Sequence, residues 1–95
     1  MEEVLSNIQS FVVDSLGSQK SSSDLQFLVD EERRLAVDVL VIGTTSDPQA
    51  AWSELSPEVE RLMKKVPQCV GQSVNRFVGG ARVRLRIVVA PGDSQ

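Results

Sequence analysis

The first bound on the chemistry open to this chain is an absence: there is no histidine anywhere in its 95 residues. That removes the imidazole base, every His-based triad or relay and the commonest metal ligand. Cys69 is the only cysteine. A lone thiol forms no internal disulfide and no structural zinc site. To act as a thiolate nucleophile it needs a neighbouring base or an electropositive niche. Lys64 and Lys65 are near it in sequence, but lysines at that spacing are not specific to any chemistry, so Cys69 is read as a bystander thiol. The adjacent carboxylates Glu2-Glu3 and Glu31-Glu32 fall at a helix start and a hairpin tip, and neither place resembles a cleft. Gly71 and Gly79-Gly80 lack the spacing of phosphate-cradling loops and do not lead a strand into a helix. The expectation is therefore no catalytic set, no cofactor and no metal. Chemistry based on Cys69 is the one exception left open.

The arginines are the most unusual local feature. In ARVRLRIVVA (81–90), Arg82, Arg84 and Arg86 alternate with apolar residues. On a strand this puts three guanidiniums on one face, roughly 6.5–7 Å apart. Such a row can grip phosphates or carboxylates bidentately. Alternatively it pairs across strands with Asp30 and Asp38, each pair contributing tenths of a kcal/mol to about one. The charge of the whole chain is −3. Residues 1–60 hold twelve of the acids and three bases, whereas residues 61–95 hold seven bases and one acid. The acidic part is large enough to neutralise the basic one on folding. Nucleic acid is disfavoured as a partner, because the chain is acidic, has no tyrosine, and no aromatic is predicted beside the arginines.

These side chains need elements to position them. Val4, Leu5, Ile8, Phe11, Val12 and Leu16 recur every three or four residues, which predicts an amphipathic helix over 2–16 ended by Gly17 at a left-handed C′ position. GSQKSSS (17–23) reads as a flexible connector. Residues 24–30 and 35–42 alternate with period two and are rich in β-branched residues, predicting two strands. The four charged residues between them, 31–34, allow only a tight antiparallel hairpin. Asp47-Pro48 and Ser56-Pro57 each read as an N-cap followed by proline at the first helical position. They predict a short helical turn carrying Trp52, which is taken as a core or lid residue, and then a longer helix from 57. Val59, Leu62, Met63 and Val66 stripe that helix, Pro67 breaks or kinks it, and Val70, Val74, Phe77 and Val78 continue the stripe to a stop at Gly79-Gly80. Residues 81–90 form the third strand, and 91–95 a frayed tail.

The predicted fold class is α+β: one domain over residues 1–95, in the order α-β-β-α-β. It is a two-layer sandwich with a three-stranded mixed or antiparallel sheet and helices on one face. That order is similar to the order in type II KH-like and secretion-ring modules, a likeness of topology that implies no function. The GxxG loop of RNA-binding KH domains is absent.

In such a sandwich the second face of the sheet is uncovered. Alternation assigns to it Leu28, Leu40, Ile42 and Val88 with Arg82, Arg84 and Arg86, alongside Asp30 and Asp38. A patch of this mixed kind points to a partner. The function expected is a non-enzymatic protein–protein interaction module, a homodimer or a subunit of a larger assembly. The alternative is an anion- or nucleic-acid-binding domain working through the three arginines. No basic, unbroken apolar leader opens the chain and no apolar run reaches the ~18–20 residues of a membrane span, so the expected location is cytoplasmic, away from any membrane.

Overall fold

Two helices and four strands follow one another as α1 (Glu2–Gly17), β1 (Ser22–Asp30), β2 (Leu35–Ile42), α2 (Pro48–Lys64), β3 (Ser73–Val78) and β4 (Ala81–Val89). The computed structural model describes residues 2–18, 22–66 and 68–90. The fold is α+β as expected, but its sheet has four strands, in the order β1-β2-β4-β3, with every neighbouring pair antiparallel. The extra strand also removes the likeness to the five-element order.

The correction falls on residues 70–78, expected as helix. Val74 and Val78 lie four residues apart, and that spacing returns a side chain to the same side in a helix and in a strand alike. What separates the two readings is Gly79-Gly80. Both glycines have positive φ, 61° and 89°, and they connect the paired residues Val78 and Ala81. Two central residues with positive φ are what a type I′ hairpin turn requires. The pair of glycines therefore turns β3 into β4 instead of stopping a helix.

α2 is one helix where two starts were expected. Asp47 caps it, its Oδ1 accepting from the Ala50 N–H at 3.1 Å, and Pro48 sits in the first turn. Pro57 lies inside the helix on an exposed position. The apolar stripe Ala51, Trp52, Leu55, Val59, Leu62 and Met63 runs unbroken past it and is buried throughout. Burial of that stripe outweighs the one backbone hydrogen bond that proline removes. The expected break at Pro67 lies outside the described residues, as do residues 91–95 and the middle of the expected connector. Of that connector, Gly17 belongs to α1, without a positive φ, and Ser22 and Ser23 belong to β1. The Thr45 N–H donates to the carbonyl of Leu16 at 2.9 Å and so satisfies the end of α1 from the loop leading into α2.

Both helices lie on one face of the sheet. Ile8, Val12 and Leu16 of α1 and the stripe of α2 pack on Val37, Val39 and Val41 of β2, Val83, Leu85 and Ile87 of β4, and Val74 and Val78 of β3. Phe27 closes the β1 side, its ring edge-on to Phe11 at 6.2 Å between centroids. Trp52 is buried in this core, whose material is otherwise almost wholly aliphatic, as the scarcity of aromatics requires.

Candidate functional site

The uncovered face is built by register. Antiparallel pairing lines up Ser22, Ile42, Arg82 and Phe77 in one row across the sheet, then Asp24, Leu40, Arg84 and Asn75, then Gln26, Asp38, Arg86 and Ser73. Leu28, Ala36 and Val88 form a fourth row on three strands. Every interface residue expected from the sequence is thus brought together on this face: Leu28, Leu40, Ile42, Val88, Arg82, Arg84 and Arg86. Leu28 and Ile42 are 47% and 41% exposed, and Leu40 and Val88 are half-buried.

Two residues depart from the expectation. Asp30 is not on this face. A bulge between Leu28 and Asp30 shifts the register so that Asp30 lies opposite Leu35, and its Oδ1 accepts from the Arg33 N–H at the hairpin turn. An extra residue in one strand moves everything beyond it to the other side. The second is Phe77, expected in a buried helical stripe. It projects from the face, is 74% exposed and has the Arg82 guanidinium 6.0 Å from its ring centroid. An aromatic therefore does stand beside the arginines. The signal that could have found it was the Gly-Gly hairpin turn, since alternation back from Val78 sets Phe77 opposite the core.

The three arginines have different surroundings. Arg86 Nη2 donates to Asp38 Oδ2 at 3.2 Å, the cross-strand pair expected from the sequence. Arg82 Nε donates to Asn75 Oδ1 at 3.2 Å. Arg84, between them, has its Nε buried without a hydrogen-bond partner and joins no ion pair among the described residues. The β3–β4 half of the face thus holds three cations, Phe77, Asn75 and Ser73 and no acid, while Asp24 and Asp38 lie on the β1–β2 half. The larger hollows lie elsewhere, one of about 440 Å³ between Phe11 and Asp14 of α1 and the start of β1. The arginine face is open, not a cleft.

On the covered side, Arg76 of β3 forms an ion pair with Glu58 of α2. Both ion pairs found among the described residues join an acid of the first sixty residues to a base of the last thirty-five, as neutralisation on folding requires.

Cys69 sits in the turn between α2 and β3, 1% exposed, its Sγ donating to the Leu62 carbonyl at 3.3 Å. Burial pushes its thiol above the ordinary value, and a backbone hydrogen bond and the charge of Lys65 only partly offset this. Lys65 thus gives it no electropositive niche strong enough to favour the thiolate. Among the described residues no cluster of three or more His, Cys, Asp or Glu side chains is placed to hold a metal ion, and no helix is long and apolar enough to cross a membrane. The chain matches no protein-family model, no curated protein and no solved structure.

Proposed function

We propose that this chain is a non-enzymatic interaction module of the cytoplasm, and that it binds a protein partner on the uncovered face of its sheet. The carrying observation is Phe77. A phenyl ring 74% exposed, in line with Ile42 and with Arg82 beside it, contributes almost nothing to the core on the far side. Exposed aromatic, arginine and aliphatic side chains grouped on one face are the composition of interface centres. The buried, proton-retaining thiol of Cys69 and the lack of histidine support the non-enzymatic half of the reading.

Residues held for a partner and not for the fold can be exchanged without loss of stability. Phe77→Ser and Leu28→Ser are expected to keep the wild-type unfolding free energy to within about 0.5–1 kcal/mol, as surface substitutions do. Losses of about 2–5 kcal/mol, the range of core truncations, would show that these side chains serve the fold, and the reading would fall.

A further inference from the structure

We infer that the partner is an acidic protein segment with apolar anchors, seated along the β3–β4 half of the uncovered face with its carboxylates on Arg82, Arg84 and Arg86. The inference rests on the reading of that face as the binding surface. It is carried by the unequal state of the three arginines. Asp38 occupies Arg86 and Asn75 occupies Arg82, but Arg84 has a buried Nε with no acceptor. A buried donor left unmet is costly; the Nη groups of Arg84 are not buried in this way, so a carboxylate seated from the open side meets them first and a turn of the guanidinium brings Nε into the same pair. Guanidiniums take carboxylates through two parallel hydrogen bonds. The row repeats every second residue of β4, roughly 6.5–7 Å. An extended segment presents its own alternate side chains at the same interval, so successive acids meet successive arginines. Val88 continues the row past Arg86, and Phe77, Leu40 and Ile42 flank it, so apolar side chains that precede or follow the acids on the same side of the segment find seats there.

Charge decides among the other occupants. A second copy packed face to face about a two-fold axis would bring the same surface to itself. Each copy carries three arginines against Asp24 and Asp38, so the pair would bury uncompensated positive charge, which is expensive. A nucleic-acid strand would meet one aromatic only and would have the two aspartates near its phosphates, on a chain whose overall charge is −3. An acidic polypeptide supplies the charge in smaller measure and also uses the apolar positions.

Fluorescence anisotropy with defined probes tests this: a labelled short peptide with glutamate at three alternate positions, leucine at the next positions of the same alternation and threonine between, its counterparts with glutamine or lysine in place of glutamate, and a labelled oligothymidylate. The glutamate peptide is expected to bind most tightly and to weaken as salt is added. It should weaken about tenfold to a hundredfold on Arg84→Met, the loss of a charge-assisted hydrogen bond. Equal binding of the glutamine peptide would overturn the inference, as would tighter binding of the oligothymidylate. A wild-type dimer in sedimentation that Arg84→Met dissociates would assign the face to a second copy and overturn it too. If no probe binds, the acidic segment is wrong; the wider reading still stands so long as Phe77→Ser and Leu28→Ser keep wild-type stability.

Discussion

Arg82 and Phe77 face each other across the turn of the β3–β4 hairpin, the guanidinium 6.0 Å from the centre of the ring, and both lie on the side of the sheet that no helix covers. An exposed contact of this type contributes about 0.5–1 kcal/mol. Arg82→Ala should therefore lower the unfolding free energy in urea by no more than that. A larger loss would mean that Arg82 anchors the hairpin through more than its ring contact and its bond to Asn75.

The covered side behaves differently. Ile87 is fully buried between β2, β4 and the helices. Ile87→Ala is expected to cost about 2–5 kcal/mol, much of the ~5–15 kcal/mol that holds a domain folded. Phe27, half-buried against Phe11, should cost less on the same truncation. Urea melts of both variants check the face assignment directly, since Phe27, Val37 and Ile87 share one row on the covered side.

The Gly-Gly turn makes a sharper comparison. Gly79 and Gly80 both have positive φ, where an L side chain is strained. A methyl group at Gly80 would meet open space, but at Gly79 it would run into Oγ1 and Cβ of Thr45. Gly80→Ala should cost about 1 kcal/mol or somewhat more. Gly79→Ala should cost distinctly more, and Thr45→Gly should recover part of the difference. Equal losses in the two alanine variants, measured by thermal or urea unfolding, would contradict this packing.

Cys69 offers a prediction in pH. Its thiol titrates higher folded than the ordinary 9.0 because of burial. Between the unfolded and folded values the native state holds the extra proton, so stability falls as pH rises through that window and is unaffected by this group below it. Wild type should lose more stability than Cys69→Ala between pH 8 and about pH 10, with no difference in slope at neutral pH. The native thiol should also react with a disulfide reagent far more slowly than the urea-unfolded chain. Rapid native reaction at pH 7 would place the thiol at the surface.

Most of this was written in local pattern. β2 lies over the residues its alternation marks, α1 follows its stripe, and the β1–β2 hairpin follows from four charged residues between two apolar runs. The uncovered face was legible for the same reason: period two in LAVDVLVI and ARVRLRIV sorts each residue to one side. Three features were not. The spacing of Val74 and Val78 fits both periods, so only the turn chemistry of Gly79-Gly80 reveals β3. The bulge that takes Asp30 off the face depends on pairing with β2, which no local signal announces. The continuity of α2 through Pro57 is a tertiary result, the burial of Leu55 and Val59 on either side of it outweighing a local signal to restart.

The central claim is that the uncovered sheet face is where this protein meets another, and a selection for binders tests it most directly. A random-peptide display library panned on the wild type and on the Arg84→Asp, Phe77→Ser double variant compares the same fold with and without that surface. The account predicts that the wild type enriches peptides that the double variant fails to retain, with acids at alternate positions among them. Peptides retained equally by both proteins would put the binding surface elsewhere on the molecule and contradict it.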